Sequence, residues 1–303
     1  ATLFKSPTVS QLASVLRDNE PHAVWNYLVP IQPRGNTNPL FLIPGTNGNI
    51  QICRECAKYM GDDLPVYSLK SVGQKGINGN SLKFEDIAAK YIKEIRAFKP
   101  QGPYNIGGYC VGGTVALEVA QQIIEQGEKI NYLAMIENYN INSLQNLAQS
   151  QVKQYYKFLD MYFNIIDIFS SRNDKKLIFR SNKKQEKPGE FQFFLKRNFS
   201  IFGSRQGKNQ DTEFNDEKTR EAYIKALFDY KPQSYPGSIN LFISRSNMNS
   251  FSNSNCGWDN IAEKGVFVHN IEAMLKTARS ELYLKNLAEK LKMSLEAISK
   301  GRN

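Results

Sequence analysis

One cysteine lies in a setting that favours nucleophilic chemistry. Cys110 stands between Gly108 and Gly112. An extended apolar run over residues 104–108 gives way there to a helical pattern over residues 114–126. Glycine two positions before and after a reactive residue is typical of a nucleophile elbow, a sharp strand-to-helix turn, here with a thiol in place of the more usual hydroxyl. Such a turn is strained and leaves no room for flanking side chains. The pattern predicts that Cys110 is the catalytic nucleophile.

Two backbone segments are candidates for an oxyanion hole. The Val111 N–H falls at the start of the helix after the elbow, where backbone donors and the helix dipole stabilise negative charge. A second donor is expected from Gly45 or Thr46, in the glycine-rich loop after the apolar run 39–44. A plain strand-to-helix turn is the alternative interpretation of this loop.

An acid and a base are expected after the nucleophile in the chain. Glu137 follows Cys110 by 27 residues and ends an apolar run over residues 130–136. The sequence has two histidines, His22 and His269. Only His269 follows the acid, so it is the candidate base, although its place inside a strand-like run also fits a half-buried structural histidine. His22 precedes the predicted sheet and is interpreted as structural.

The elements that would carry these residues alternate between strands and helices. Short apolar runs alternate with amphipathic segments of 12 to 15 residues, which predicts right-handed β-α-β units and a mostly parallel sheet with helices on both faces. Catalytic groups gather at the carboxyl edge of such a sheet. The predicted strands are 39–44, 66–69, 104–108, 130–136, 239–244 and 266–271, and the predicted helices include 50–60, 84–98, 114–126, 217–229 and 280–298.

Length and composition predict a globular α/β protein. The chain has 303 residues, of which 41% are hydrophobic and 22% charged. No apolar run approaches the roughly 20 residues that a membrane span needs, and the N-terminus lacks a signal-peptide pattern. It looks instead like an internal point of a longer chain. We expect a cytoplasmic protein that does not act at a membrane.

The four cysteines do not suggest a disulfide framework or a metal site. Cys53 and Cys56 are spaced like metal ligands or a redox pair, but no second pair accompanies them. They lie in the helical pattern 50–60, where we interpret them as small apolar residues. No metal or bound cofactor is predicted.

The alternation stops between about residues 140 and 215. The segment is rich in aromatic residues, and residues 171–210 hold eleven Lys or Arg against three acids, a surplus of eight within the net charge of +10. Interleaved basic and aromatic residues can bind nucleic acid, but no nucleic-acid motif is present. We interpret the segment as a helical lid over the sheet edge and expect no nucleic-acid partner.

Four ordered motifs give the chain a family resemblance. Residues 39–48, 102–120, 230–242 and those from Gly257-Trp258 onward resemble the type I thioesterase domains that end polyketide and non-ribosomal peptide synthetases. The resemblance implies an α/β-hydrolase fold with a variable lid. It also implies that an acyl chain, delivered as a phosphopantetheine thioester on a carrier domain, is transferred to the nucleophile and then released by water or by an internal nucleophile.

The N-terminal residues resemble the last helix of a carrier-protein domain. We therefore predict a carrier helix at 1–20 and a thioesterase domain at 21–303, with a core of residues 38–139 and 216–300 around the lid at about 140–215. An unrelated N-terminal helix is the alternative. The predicted partner is an upstream acyl or peptidyl carrier domain in the same polypeptide.

The histidine is where the sequence departs from the family. The family's histidine position falls on Leu275 in one register and on Ile271 in another. A thiol depends on a base less than a hydroxyl does, because a free thiol with a pKa of about 8.5 is already partly ionised near neutral pH. Acylation of Cys110 from a thioester is therefore feasible, whereas release by water needs a group that takes its proton.

Three functions remain open from the sequence. The first is a thioesterase that releases its chain by hydrolysis or cyclisation through a Cys110 acyl-enzyme. The second is an acyltransferase or cyclase that passes the acyl group to a nitrogen, oxygen or carbon nucleophile. The third is an inactive domain that binds the carrier and its acyl chain.

Overall fold

A seven-stranded sheet forms the centre of the computed structural model, which describes residues 8, 25–45, 50–72, 82–146, 217–244, 255–272, 281–299 and 301. The strands follow the order β1-β3-β2-β4-β5-β6-β7, and β1 alone runs antiparallel to its neighbour. They are β1 (Leu28–Gln32), β2 (Leu40–Ile43), β3 (Val66–Leu69), β4 (Tyr104–Tyr109), β5 (Ile130–Ile136), β6 (Ile239–Ser244) and β7 (Val266–Ile271).

Helices cover both faces of the sheet. Phe98, at the end of α2, contacts the ring of Phe41 on one face, whereas Ser294 of α5 is hydrogen-bonded to Tyr132 on the other. β2, β4 and β6 are buried along their whole length, as expected for parallel strands covered on both sides. The helices are α1 (Gln51–Ala57), α2 (Phe84–Phe98), α3 (Val111–Glu125), α4 (Glu217–Asp229) and α5 (Glu281–Ser299), with a 3₁₀ helix at Ile141–Asn146.

The predicted α/β class and every predicted strand are confirmed. The helix after the elbow begins at Val111, three residues earlier than predicted, because Gly112 and Gly113 take helical positions. None of the predicted strands corresponds to β1, which contains Pro30. β1 is an edge strand with mostly half-buried residues, so it lacks the continuous apolar pattern, and an edge strand tolerates a proline.

Some predictions lie outside the described residues. The carrier-like helix at 1–20 does so apart from Thr8, and so does the predicted lid from residue 147 onward. Among the described helices, none is long and apolar enough to cross a membrane.

A buried carboxylate attaches the start of the sheet to α2. Glu94 is only 7% exposed. It accepts hydrogen bonds from the backbone N–H groups of Asn26, Tyr27 and Leu28 at 2.6, 2.7 and 2.6 Å. Three consecutive donors converging on one carboxylate fix the path by which the chain enters β1.

We predict that Glu94→Ala destabilises the protein by about 2 kcal/mol, because it leaves the buried Leu28 N–H and the partly buried N–H groups of Asn26 and Tyr27 without their acceptor. Urea unfolding followed by circular dichroism measures the change. Lys93→Ala is the matched control, since Lys93 is exposed on the same helix. Equal stability of the two variants would show that the three hydrogen bonds do not hold β1.

Candidate active site

Cys110 occupies the sharp turn between β4 and α3. Its backbone has φ 53° and ψ −127°, a conformation that L-residues rarely adopt. The strained turn is held by hydrogen bonds from the Cys110 N–H to the Ile136 carbonyl at 2.8 Å and from the Gly113 N–H to the Cys110 carbonyl at 2.7 Å. The structure therefore has the elbow geometry that the sequence predicts.

The flanking glycines are required by close backbone contacts. A Cβ atom on Gly108 would lie 2.0 Å from the carbonyl oxygen of Gly112. A Cβ atom on Gly112 would lie 2.3 Å from the carbonyl oxygen of Ile43 and 2.4 Å from that of Pro44. No side chain fits at either position, which confirms the predicted reason for the two glycines.

The segments predicted to supply oxyanion donors are neighbours. Val111 is the first residue of α3, so its N–H lies at the positive end of the helix dipole. The contact of Gly112 with Pro44 places the end of β2 against this first turn, and Gly45 follows directly. Thr46 lies outside the described residues. The arrangement is compatible with an oxyanion hole, whose role stays a prediction.

Glu137 is buried at the carboxyl end of β5. It is 1% exposed and has φ 48°. Its N–H donates to the Phe242 carbonyl at 2.8 Å. Its Oε1 accepts hydrogen bonds from the Ser244 N–H at 2.9 Å and from the Tyr283 hydroxyl at 3.2 Å. The Ser244 hydroxyl lies 3.4 Å from Oε2. The carboxylate is thus fixed by β6 and α5.

Neutral groups surround this carboxylate. Burial, followed by the negative charge of Glu137, raises the pKa values of the Tyr109 and Tyr283 phenols well above their ordinary range. The same two causes raise the pKa of the Cys256 thiol. These groups stay protonated at neutral pH and can donate hydrogen bonds but not take up protons.

His269 does not lie with Cys110 and Glu137. It pairs with Phe242, which pairs with Ile136, which pairs with Tyr109, so His269 lies three strands away from the residue before the nucleophile. At about 4.8 Å per strand, the backbone separation is roughly 14 Å. His269, the candidate base, is therefore a strand residue. The register of β7 holds it level with Tyr109 and not beyond the carboxyl edge of the sheet.

The imidazole of His269 has structural partners. Its Nε2 is 3.1 Å from Oδ1 of Asn240, and its ring stacks on Phe242 with centroids 4.5 Å apart. Burial, followed by the positive charge of Lys290, lowers its pKa to about 4. These contacts match the half-buried structural histidine that the sequence analysis gave as the alternative.

Of the two candidate positions for the family's histidine, Ile271 and Leu275, the structure describes only Ile271. Ile271 is fully buried at the end of β7 and pairs with Ser244, which holds Glu137. The last residue of β7 therefore lies near the acid, where a catalytic base would be needed. Its side chain, however, is aliphatic and cannot take up a proton. Leu275 lies outside the described residues.

The Cys53 and Cys56 thiols are buried side chains of α1. Burial raises the pKa of Cys53 to about 11, which disfavours the thiolate that a metal or redox site needs. The interpretation as apolar helix residues agrees with this position. Within the described part of the chain, no three His, Cys, Asp or Glu residues are placed to hold a metal ion.

The lowered pKa of His269 predicts a pH dependence of stability. The unfolded chain takes up a proton near pH 6.5 but the folded chain only near pH 4, so stability falls as the pH drops from about 6.5 to about 4. Urea unfolding at pH 7 and pH 4.5 should show a smaller loss for His269→Gln than for the unsubstituted protein. Equal losses in the two proteins would contradict the assignment.

Sequence comparison identifies relatives for nearly half of the chain. Residues 38–160 match the family model for the thioesterase domain. A dimodular nonribosomal peptide synthase of Bacillus subtilis (strain 168) is 34% identical over 139 residues, which are 45% of this chain and 6% of that protein. The chain therefore spans a small part of the length of this relative.

Structural comparison covers most of the chain at lower identity. The NocB thioesterase domain from the nocardicin cluster matches with a TM-score of 0.62 and 17% identity, over 89% of this chain and 99% of that one. AB3403, a four-domain nonribosomal peptide synthetase, matches with a TM-score of 0.64 and 18% identity, over 97% of this chain and 22% of that one. Similarity at this identity establishes the fold. Residues 38–160 thus match the thioesterase domain family, and the relative that matches over 139 residues is a nonribosomal peptide synthase, which confirms the predicted resemblance for this part of the chain. The described sheet has the α/β-hydrolase fold.

Proposed function

We propose that the protein is a chain-releasing thioesterase that works through an acyl-enzyme on Cys110. The observation that carries the proposal is the strained elbow at Cys110, which presents a thiol at the start of α3 within the segment that matches the thioesterase family. The proposed substrate is an acyl chain held as a phosphopantetheine thioester by an upstream carrier domain of the same polypeptide. A cytoplasmic location stays a prediction from the sequence.

Acylation needs little help from a base. The Cys110 sulfur attacks the thioester carbonyl carbon, the carbonyl oxygen becomes an oxyanion, and the carbon–sulfur bond to phosphopantetheine then breaks. The proton lost by Cys110 ends on the departing thiol, so one thioester replaces another. The Val111 N–H and the backbone N–H of Gly45 or Thr46 are the donors proposed for the oxyanion.

Release is the step at which the position of His269 matters. Water must lose a proton as it attacks the acyl-enzyme, and His269 lies about three strands away with its Nε2 at Asn240. Glu137 is buried and accepts hydrogen bonds from Ser244 and Tyr283. This geometry supports a second candidate function, an acyltransferase or cyclase. Its acceptor is an amine, which attacks without first losing a proton, or another nucleophile that loses its proton more easily than water does.

Intact-mass spectrometry after incubation with an acyl N-acetylcysteamine thioester tests the acyl-enzyme. We expect one acyl addition on the unsubstituted protein and none on Cys110→Ala. Cys256→Ala is the matched control because its thiol is also buried and lies near Glu137, and it should acylate normally. An adduct on Cys110→Ala would assign the nucleophile elsewhere, and no adduct on any variant would favour the inactive carrier-binding domain.

His269→Gln should leave both acylation and deacylation of Cys110 within about twofold of the unsubstituted protein, since a group outside the site supplies none of the roughly 100-fold or larger benefit of a general base. Single-turnover measurements with the same thioester give the two rates. A large fall in deacylation alone would restore His269 as the base. An adduct that persists in water but is discharged by an added amine would support transfer or cyclisation over hydrolysis.

A further inference from the structure

Asn138 makes an unusual contact with the residue that carries the nucleophile. Its side-chain Nδ2 donates to the backbone carbonyl of Cys110 at 2.6 Å and to the Thr114 hydroxyl at 3.0 Å. Asn138 is 3% exposed, so these bonds are shielded from water. Because a backbone carbonyl can only accept, the contact also fixes which end of the amide faces the elbow.

The contact bears on the neighbouring N–H through the geometry of the peptide bond. The carbonyl of Cys110 and the N–H of Val111 belong to one planar trans peptide unit, in which the two groups point in opposite directions. Holding the carbonyl on one side therefore aims the N–H to the other side. A hydrogen bond accepted by the carbonyl also polarises the unit and strengthens its N–H as a donor.

Gly113 is explained by the same contact. A Cβ atom at this position would lie 2.9 to 3.0 Å from three side-chain atoms of Asn138. The second glycine after the nucleophile thus lets the asparagine reach the elbow. The position of Asn138 also costs folding free energy, because its buried Oδ1 has no hydrogen-bond partner among the described residues.

We propose that Asn138 is the positioning residue for the oxyanion hole, acting through the Cys110–Val111 peptide unit. Its amide holds the peptide unit, and together with the Gly113 N–H, which donates to the same carbonyl at 2.7 Å, it sets the direction and the strength of the Val111 donor. The proposal rests on the acyl-enzyme function proposed above.

Two reactions of the same thiol separate this role from a general structural one. Acylation by a thioester passes through an oxyanion, whereas alkylation by iodoacetamide does not. We expect Asn138→Ala to lower the acylation rate of Cys110 by about 10-fold to 100-fold, less than or equal to the loss of a whole donor, with alkylation within about twofold of the unsubstituted rate. Equal falls in both reactions, or no fall in either, would overturn the proposal.

Gly113→Ala provides a second variant that removes no hydrogen-bonding group. The added methyl displaces Asn138 while alanine favours the helix, so acylation should again fall more than alkylation even if Asn138→Ala folds poorly. Asn142→Ala is the matched control, since its amide binds the Tyr230 carbonyl at 2.9 Å rather than the elbow. It should leave the ratio of the two rates unchanged.

The pH dependence of the Asn138→Asp variant distinguishes hydrogen-bond donation by residue 138 from a role in packing alone. The carboxylate cannot donate to the Cys110 carbonyl, but its protonated form can. The ratio of acylation to alkylation, which cancels the thiolate fraction, should therefore recover as the pH is lowered. A ratio that does not depend on pH would contradict the role. If the unsubstituted protein is alkylated but never acylated, the proposed function itself fails, an outcome distinct from normal acylation in Asn138→Ala.

Discussion

The strained backbone of Cys110 is the constraint on which the site depends. A residue with φ 53° and ψ −127° persists only if the surrounding structure holds it. The holding contacts come from the Ile136 carbonyl at the end of β5, from the Asn138 side chain just beyond it, and from the close approach of Gly112 to the end of β2. Contacts from β2 and from β5 and its extension therefore meet at the buried residue that follows β4, at the carboxyl edge that the three parallel strands share.

The segment after β5 connects this turn to the rest of the edge. Glu137 binds β6 and α5, while Asn138 binds the elbow. Asn140 donates through its N–H to the Cys256 carbonyl and through its amide to the Gly257 carbonyl. Asn142 donates to the carbonyl of Tyr230, just beyond α4. Polar residues thus attach one short segment to β6, to α5, to the elbow, to the turn at Cys256 and Gly257 and to the residue after α4, and of these contacts the one made by Asn138 reaches the residue that carries the nucleophile.

The sequence predicted those features of the fold that depend on residues close together in the chain. The elbow glycines, the strands buried on both faces and the position of Glu137 at a strand end follow from steric limits and periodicity, which the sequence displays directly. β1 was missed because an edge strand needs no continuous apolar pattern. The roles of Asn138 and Tyr283 could not be read from the sequence, because each depends on a contact across the fold, 28 residues away for Asn138 and 146 for Tyr283.

His269 shows where chain order is a poor guide to geometry. It follows the nucleophile and the acid, as a base should, yet a strand residue keeps the position that its register dictates, and the register pairs His269 with Phe242. A loop residue a few positions later could fold back over the sheet edge, and a strand residue cannot.

A thiol nucleophile suits a site in which the acid, Glu137, is buried and His269 lies three strands away. Burial, followed by the charge of Glu137, raises the pKa values of Tyr109 and Tyr283, so proton loss near Glu137 is unfavourable. The start of α3, in contrast, favours a negative charge on the nucleophile. A serine hydroxyl in this field would need an adjacent imidazole to ionise. A thiol, which starts several pKa units lower, needs only the helix end and the oxyanion donors. The elbow geometry, more than a complete set of three catalytic side chains, is therefore what makes acyl transfer at Cys110 chemically reasonable.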